Sequence, residues 1–304
     1  MAVSVIGFGG IPIQRLQFAE AENVLLSALD RGINFIDTAR GYTDSEAKIG
    51  RVLGRHRRRV AIATKATARD KEGMAEELEN SLRDLKTDVI DLYQIHALES
   101  EQQLEQVLGS SGAYQTLDRA RTQGKVRFIG VTGHVHAVLQ RAVETGLFDT
   151  VQHPFNPLET EWLGHVIPAA KARNVGIIGM KPMAGGALDH MPVALRFSLT
   201  RGVDVAIPGM DSLEQVRENA AVGEHLADLD AGEMALFEKE RERLGPNFCR
   251  RCGYCMPCEN GLHIPYLLLL LAYFERYGLP DWSRDRLRTF EKKYWDCVGC
   301  GACI

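Results

Sequence analysis

Residues 34–42 read NFIDTARGY and join an apolar segment to a short polar loop. The apolar run 33–36 predicts a buried strand that ends at Asp37, and the loop after it presents Tyr42. A tyrosine can act as a general acid near neutral pH only where a nearby positive charge lowers its pKa. This stretch therefore predicts that the fold brings a lysine close to Tyr42, and that a carboxylate such as Asp37 holds it.

The next two predicted strands end in residues of the required kind. VAIATK ends at Lys65, and VIDLYQIH ends at His96. Taken singly, each of the four residues is compatible with a structural role, as a helix cap, a packing aromatic, a lysine reaching towards solvent or a buried histidine. Because they follow successive strands, they favour one catalytic group made of Asp37, Tyr42, Lys65 and His96.

Strand-like and helix-like segments alternate through the first 222 residues. Eight strand–helix units of this kind, with strands that are apolar on both faces, predict an α/β fold and specifically a closed (β/α)8 TIM barrel. An open, doubly wound sheet is the alternative. It is disfavoured because the glycines of residues 7–10 are not followed at once by a helix, as a dinucleotide-binding fingerprint requires. The predicted strands are 3–10, 33–38, 60–65, 89–96, 127–132, 150–155, 175–181 and 203–208. The predicted helices are near 19–31, 45–54, 71–85, 101–122, 134–145, 160–173, 189–201 and 212–222.

The composition is that of a globular protein. The chain has 304 residues, a net charge of −4 and 45% hydrophobic residues, which gives no support for nucleic-acid binding. The longest apolar run, 264–273, is too short to span a bilayer, and residues 1–10 do not resemble a signal peptide. We therefore expect a cytoplasmic protein without a membrane partner, in which thiols stay reduced or bind metal.

All seven cysteines lie in the last 56 residues. This shift in composition predicts a barrel domain over residues 1–245 and a small, mainly helical cysteine module over residues 246–304. Three cysteines at intervals of three suit the wrapping of a [4Fe–4S] cluster, whereas zinc sites favour separated pairs. Zinc and disulfides remain the alternatives. The candidate metal ligands form two runs: Cys249, Cys252, Cys255 and Cys258, then Cys297, Cys300 and Cys303.

Residues 3–222 resemble the aldo-keto reductases, on the motifs GINFIDTA, GY and DVIDLYQIH. The resemblance implies reversible hydride transfer between NADPH or NADH and a small carbonyl substrate. It implies that Tyr42 protonates the substrate oxygen, Lys65 lowers the pKa of Tyr42, Asp37 holds Lys65, and His96 orients the carbonyl and shares the proton transfer.

The same resemblance implies where the cofactor lies. Thr132 and Gln152 fall where the family binds the nicotinamide carboxamide, and Met180 falls where an aromatic residue usually covers the ring. Residues 209, 210 and 215 do not carry the basic set that some members use for a 2′-phosphate, so NADPH and NADH both remain open. The implied cofactor residues are Thr132, Gln152, Met180, Lys181, Pro208, Gly209, Met210, Ser212, Gln215, Glu218 and Asn219.

The cysteine runs resemble a bacterial ferredoxin with two [4Fe–4S] clusters, an extension found in one branch of the aldo-keto reductases. In ferredoxins each run gives its last cysteine to the other cluster. By that pattern Cys258 joins Cys297, Cys300 and Cys303, and the second cluster lacks one ligand. The resemblance predicts further residues at both ends of the chain, including another cysteine after Cys303.

Three functions remain open from the sequence. The first is a carbonyl reductase whose clusters are structural. The second is an electron-transfer enzyme that couples its clusters to a partner ferredoxin or flavoprotein, because a nicotinamide delivers two electrons as hydride whereas a cluster accepts one at a time. The third is a regulatory subunit that turns over slowly. The complete set of four catalytic residues favours an enzyme.

Overall fold

The computed structural model describes residues 1–244, 249, 255–275, 278–301 and 303. Eight strands form one parallel sheet in which each strand pairs with its neighbours in the chain. This is the predicted (β/α)8 architecture, with each strand in the expected place. The strands are β1 (Phe8–Gly9), β2 (Phe35–Asp37), β3 (Ala61–Ala66), β4 (Ile90–Ile95), β5 (Val126–Thr132), β6 (Thr150–Pro154), β7 (Gly176–Met180) and β8 (Val205–Ile207).

The last strand returns to the first and closes the barrel. The amide of Gly7 donates to the carbonyl of Ala206 at 2.8 Å, and the amide of Ala206 donates to the carbonyl of Val5 at 2.9 Å. Gly9 forms a parallel bridge with Gly209 at the same seam. A side chain at Gly9 would lie 2.8 Å from two backbone oxygens of this seam, so a glycine is required where β1 and β8 meet.

Helices surround the barrel and separate successive strands. Between β4 and β5 there are two α-helices, and between the other successive strands of the barrel there is one α-helix. The helices are α1 (Phe18–Asp30), α2 (Ser45–His56), α3 (Lys71–Leu85), α4 (Glu101–Leu108), α5 (Ala113–Thr122), α6 (His136–Glu144), α7 (Val166–Ala172), α8 (Met191–Thr200), α9 (Leu213–Glu224), α10 (Ala231–Leu244), α11 (Ile264–Glu275) and α12 (Pro280–Arg288).

Two apolar layers result from the alternation of side chains along the strands. The larger layer fills the space between the sheet and its surrounding helices. The smaller layer lies inside the barrel and includes Phe35, Ala61, Ala63 and Leu92. Every second residue of a strand therefore points inwards, and the inward series runs towards the carboxyl ends of the strands.

Two helices predicted as continuous are broken in the structure. The predicted helix 101–122 ends at Leu108, and a second helix begins at Ala113. The break requires a glycine at position 112, because a Cβ atom there would lie 2.1 Å from the carbonyl oxygen of Val107. The predicted helix 160–173 consists of a 3-10 turn, Glu161–Gly164, followed by α7. His165 separates the two with ψ of −81°, outside the helical range. Apolar periodicity continues across both breaks, so periodicity alone does not locate them.

Helices α11 and α12 pack against each other after the barrel. They agree with the predicted mainly helical character of this part of the chain. Helix α12 ends at Arg288, and a 3-10 turn, Tyr294–Asp296, precedes the last cysteines. Helix α11 is rich in leucine and leaves Leu271 and Phe274 exposed. No helix within the described residues has the length and apolar character needed to cross a membrane.

Candidate active site

The inward series of each strand continues into polar residues at the rim of the barrel. Along β4 the inward positions are Leu92, Gln94 and, just past the strand, His96. Along β2 and β3 the same alternation leads from apolar residues to Asp37 and Lys65. The polar groups collect at the carboxyl ends of the strands because parallel strands all end at the same face of the barrel.

The four predicted catalytic residues come together at this rim. Lys65 Nζ lies 2.5 Å from Asp37 Oδ2 and 2.8 Å from the carbonyl oxygen of Thr38. The same ammonium lies 5.3 Å from the centroid of the Tyr42 ring. The rings of Tyr42 and His96 meet edge to face with centroids 6.1 Å apart. The predicted lysine beside Tyr42 is therefore Lys65, which lies between the Asp37 carboxylate and the Tyr42 ring.

Burial dominates the electrostatics of these groups. It raises the pKa of the Asp37 carboxyl and lowers the pKa of the Lys65 ammonium, while the attraction between the two opposes both shifts. It also lowers the pKa of His96 well below the usual value, and nearby cations, Lys65 first among them, lower it further. His96 is therefore a neutral imidazole at neutral pH, which can donate a hydrogen bond to a carbonyl oxygen but does not store a proton.

Sequence reasoning missed Gln94, which connects Asp37 of the predicted catalytic group to Gln152 of the predicted cofactor residues. Its Nε2 lies 3.4 Å from Asp37 Oδ1 and donates to Gln152 Oε1 at 2.9 Å. Gln152 Nε2 in turn lies 3.8 Å from the sulfur of Met180. The alternation of Leu92, Gln94 and His96 on the inward face of β4 was the available signal.

A second missed residue, Arg40, anchors the loop that carries Tyr42. Its guanidinium contacts the carboxylates of Glu46, Glu77 and Asp84, on α2 and α3. Burial by itself would lower the pKa of Arg40, but hydrogen bonds to Glu46 and Asp84 and their negative charges outweigh it, so the pKa is raised. Thr64, on β3, donates to Glu46 at 2.6 Å. The loop is therefore fixed to two helices and to the strand that carries Lys65.

Strained backbone conformations concentrate at the same rim. Within the described residues, six non-glycine residues have positive φ, and four of them follow barrel strands at this face. These four are Thr43, Ala97, Lys181 and Ala184, with φ between 41° and 55°. Such conformations are unfavourable for residues with a Cβ atom and are found where the surrounding structure holds a functional loop in place.

At the predicted nicotinamide end of the site, Thr132 is the last residue of β5 and Gly133 follows it. The hydroxyl of Thr132 accepts from the amide of Ala97 at 3.1 Å, which joins the ends of β4 and β5. A Cβ atom at Gly133 would lie 2.4 Å from the carbonyl oxygen of Leu98. This close approach explains why a glycine occupies position 133.

The predicted adenosine-end residues divide into two groups. Ser212 caps α9 by accepting from the amide of Gln215 at 3.2 Å, and Gln215 Oε1 accepts from the amide of Asp211 at 2.8 Å. Glu218 is exposed, and Asn219 is buried with an Oδ1 atom that has no partner among the described residues. These four residues lie at the N-terminal end of α9, from the N-cap residue to the second turn of the helix.

The remaining residues of this segment have backbone and packing roles. The carbonyl of Pro208 accepts from the amide of Gly9 at 2.9 Å, and Gly209 bridges to the same residue. Met210 is fully buried in the core between barrel and helices. Its side chain therefore packs inside the protein, and only its backbone is available to a ligand. Arg15, which sequence reasoning missed, forms an ion pair with Asp211 beside this segment.

In the cysteine module, a cavity of about 260 Å³ lies between the two cysteine runs. Within the described residues, no three His, Cys, Asp or Glu side chains have the arrangement of a metal site. Cys249 does not line the cavity, and Cys252 lies outside the described residues. The cysteines that line the cavity are Cys255, Cys258, Cys297, Cys300 and Cys303.

Comparison with known proteins identifies the family. Residues 5–192 match the model of the aldo/keto reductase family. L-galactose dehydrogenase of Arabidopsis thaliana is 27% identical over 292 residues, an alignment that covers 79% of this chain and 90% of the relative. The aldo-keto reductase YhdN of Bacillus subtilis is 32% identical over 164 residues, covering 49% of this chain and 47% of the relative.

Solved structures agree on the fold. An aldo-keto reductase from Bacillus halodurans superposes with a TM-score of 0.67 at 22% identity, covering 79% of this chain and 93% of the other. An aldo-keto reductase from Klebsiella pneumoniae, solved in complex with NADPH, superposes with a TM-score of 0.65 at 24% identity, covering 78% of this chain and 91% of the other. The family model and the parallel eight-stranded barrel together show that the chain belongs to the aldo/keto reductase family of NAD(P)H-dependent oxidoreductases.

Proposed function

We propose that this protein reduces aldehydes or ketones with NADPH or NADH, using Tyr42 as the general acid. The observation that carries the proposal is the position of Lys65, whose ammonium lies 2.5 Å from Asp37 and 5.3 Å from the Tyr42 ring centroid. A positive charge in this position stabilises the phenolate that remains after the tyrosine has given up its proton. The carboxylate keeps the ammonium charged and in place.

Each residue of the group then has one task. The cofactor, when bound, supplies a hydride to the carbonyl carbon. Tyr42 donates its hydroxyl proton to the carbonyl oxygen, which becomes the alcohol. Lys65 stabilises the charge left on Tyr42, and Asp37 orients Lys65. His96, neutral because of burial and neighbouring cations, donates a hydrogen bond that orients the carbonyl oxygen.

The residues around the rim fit a nicotinamide dinucleotide. Gln152 offers an amide group beside Asp37, and Thr132 offers a hydroxyl at the carboxyl end of β5. Met180 offers a polarizable sulfur that can cover a ring face. At the other end, the N-terminus of α9 suits a phosphate, and the unpartnered Oδ1 of Asn219 suits an amino group. The Klebsiella pneumoniae relative, solved with NADPH, supports this assignment.

Replacing the tyrosine tests the catalytic proposal. We expect Tyr42→Phe to lower kcat for aldehyde reduction by roughly 100-fold or more, because general acid catalysis contributes about 10²–10⁴. Cofactor affinity, measured by quenching of protein fluorescence, should change little because the ring remains. Tyr114→Phe is the matched control. The Tyr114 hydroxyl lies on helix α5, outside the barrel, and donates to the carbonyl oxygen of Leu147. Aldehyde reduction by Tyr42→Phe at the wild-type rate would contradict the assignment.

We also propose that the cysteine module binds a [4Fe–4S] cluster in the cavity between its cysteine runs. Its donor set supports the proposal, because five thiols line one cavity whose remaining walls are largely apolar, and thiolates are the ligands of iron–sulfur clusters. Four of the five are the cysteines that the ferredoxin pattern assigns to a single cluster, namely Cys258, Cys297, Cys300 and Cys303.

The backbone near Cys297 supports the same assignment. The amide of Gly299 lies 3.5 Å from Cys297 Sγ, in position to donate to a thiolate. Gly299 and Gly301 both have positive φ, 67° and 76°, which lets the chain turn sharply between successive cysteines. Hydrogen bonds from backbone amides to cysteine sulfur tune the reduction potential of such clusters.

Metal analysis of protein purified without oxygen tests the cluster proposal. We expect iron and acid-labile sulfide in equal amounts, with a broad visible absorbance near that of ferredoxins. Cys300→Ala should lower both contents together, whereas Ser283→Ala, a change in helix α12, should leave them as they are. Zinc in place of iron, or iron without sulfide, would contradict the proposal and leave the carbonyl reductase assignment unaffected.

A further inference from the structure

Three charged or titratable side chains form a chain of contacts at the rim. Glu99 Oε1 lies 2.8 Å from His134 Nδ1, and Lys181 Nζ lies 3.2 Å from His134 Nε2. The lysine can only donate, so Nε2 accepts and the imidazole proton lies on Nδ1, from which it is donated to Glu99. The lysine head group is therefore positioned through the histidine by a carboxylate.

The backbone of Lys181 is held in an unfavourable conformation. Its φ is 55°, in the left-handed region that disfavours residues with a Cβ atom. Its carbonyl accepts from the amide of Ala184 at 2.8 Å and from Asn156 Nδ2 at 3.2 Å. Strain that the surroundings maintain in this way is characteristic of binding and catalytic loops. The lysine is thus fixed just past the end of β7, at the catalytic face.

A second cation, Arg69, lies on the loop between β3 and α3. Its Nη2 donates to the carbonyl oxygens of His96 and Ala97 at 2.8 and 2.7 Å. Its Nη1 is buried without a partner among the described residues. Burial lowers the pKa of this guanidinium, and the nearby carboxylate of Glu99 opposes the shift. A buried guanidinium beside the catalytic histidine makes the surroundings of the reacting carbonyl positive.

Besides burial, three cations lower the pKa of the His96 imidazole: Lys65, Arg69 and Lys181. Two carboxylates lie nearby, Asp37 paired with Lys65 and Glu99 near Arg69, so the cations outnumber them. Such a cluster attracts an anion, and it does so beside the residue that orients the reacting carbonyl. The phosphates of a dinucleotide are expected elsewhere, at the N-terminus of α9 after the last strand of the barrel.

From the placement of Arg69 against the backbone of His96, and of Lys181 against His134 and through it Glu99, we propose that the preferred substrates are carbonyl compounds that carry a carboxylate, with Lys181 as its receptor. This inference rests on the proposed carbonyl reductase function and reassigns Lys181 from cofactor to substrate. Lys181 binds the carboxylate directly, His134 and Glu99 position the ammonium, and Arg69 adds positive potential at the rim. The carboxylate and the carbonyl of one small molecule then occupy neighbouring parts of the site.

A matched pair of substrates tests the proposal in the full-length protein with saturating NADPH. 4-Formylbenzoate and its methyl ester have the same ring and aldehyde but differ in charge. We expect the wild-type kcat/KM to favour the acid, and the ratio of the two values to fall roughly 10- to 100-fold in Lys181→Met, since a hydrogen bond to a charged group is lost. Raised ionic strength should weaken the preference for the acid in the wild type.

Two further variants make the result interpretable. Lys171→Met, an exposed lysine on α7, should keep the wild-type ratio. Lys181→Arg retains the charge and should restore part of the preference, which guards against a general loss of structure in Lys181→Met. An unchanged ratio in Lys181→Met would overturn the proposal, as would a weaker NADPH affinity without a change in the ratio, because Lys181 would then serve a cofactor phosphate. Failure of the carbonyl reductase function would differ, since neither aldehyde would be reduced.

Discussion

At the scale of single residues, burial decides the protonation of two histidines. His96 at the rim and His153 on β6 both have lowered pKa values because a charged ring is poorly solvated there. His153 stacks on Trp162, with ring centroids 4.0 Å apart, and its Nδ1 lies 2.9 Å from the carbonyl of Pro154. Its Nε2 is buried without a partner among the described residues. If Nε2 took up a second proton, the resulting N–H group would therefore have no hydrogen-bond acceptor among the described residues.

The shift at His153 predicts a loss of stability in mild acid. Burial lowers its pKa to about 4 in the folded protein, whereas an unfolded histidine titrates near about 6.5. His153 contributes its full stabilisation at a pH above its pKa in the unfolded chain. This contribution is lost as the pH falls towards its pKa in the folded protein, because the unfolded chain takes up the proton first. Between pH 7.5 and 5 we expect a loss of about 2 kcal/mol from this residue.

Denaturant unfolding at the two pH values measures this loss. His153→Phe keeps an aromatic ring for the stack on Trp162 but cannot take up a proton, so its free energy of unfolding should fall less by about 2 kcal/mol. His225→Gln, at an exposed position after α9, provides the comparison. An equal loss in His153→Phe and the wild type would show that His153 does not account for the acid sensitivity.

At the scale of secondary-structure elements, α2 shows how closely the helices approach one another. Gly50 and Gly54 lie one turn apart on this helix. A Cβ atom at Gly50 would lie 2.2 Å from the carbonyl oxygen of Asp84 on α3, whereas a Cβ atom at Gly54 meets nothing within 4 Å. The same α3 residue, Asp84, also binds Arg40. The contact between α2 and α3 therefore supports the loop that carries Tyr42.

The two glycines form a matched pair for mutation. We expect Gly50→Ala to destabilise the protein by about 2–3 kcal/mol, because the methyl group overlaps backbone atoms that cannot move independently. Gly54→Ala, at an exposed position of the same helix, should stabilise it by about 0.5–1 kcal/mol through helix propensity. Thermal unfolding of both variants measures the difference. Similar stabilities for the two alanine variants would mean that α2 and α3 pack less closely than described.

At the scale of the whole molecule, the question is whether electrons pass from a nicotinamide cofactor to clusters held by the cysteine module. A nicotinamide delivers two electrons as hydride, whereas an iron–sulfur cluster accepts one at a time. We therefore expect that NADPH, added without oxygen to cluster-containing protein, leaves the visible cluster absorbance unchanged while it binds. Bleaching of the clusters would instead favour the electron-transfer alternative, with a ferredoxin or flavoprotein partner. Dithionite serves as the positive control for reduction.

The sequence by itself determined the barrel architecture and the placement of the candidate catalytic residues at one face of the barrel. Apolar runs of strand length alternate with helical patterns, and Asp37, Lys65 and His96 follow successive strands, so parallel order places them at one face. It also determined that the cysteines form a separate group at the end of the chain. These inferences depend on local patterns, which survive folding because each strand and helix needs a buried face.

Only the tertiary structure decided which side chains meet across the barrel. The contacts of Gln94 with Asp37 and Gln152, and of Lys181 with His134, join residues on different strand ends that no local pattern relates. The same is true of the helix breaks at Gly112 and His165, which depend on close approaches and backbone angles rather than on periodicity. Distances between strands are set by packing of the barrel interior, and that packing is a property of the whole fold.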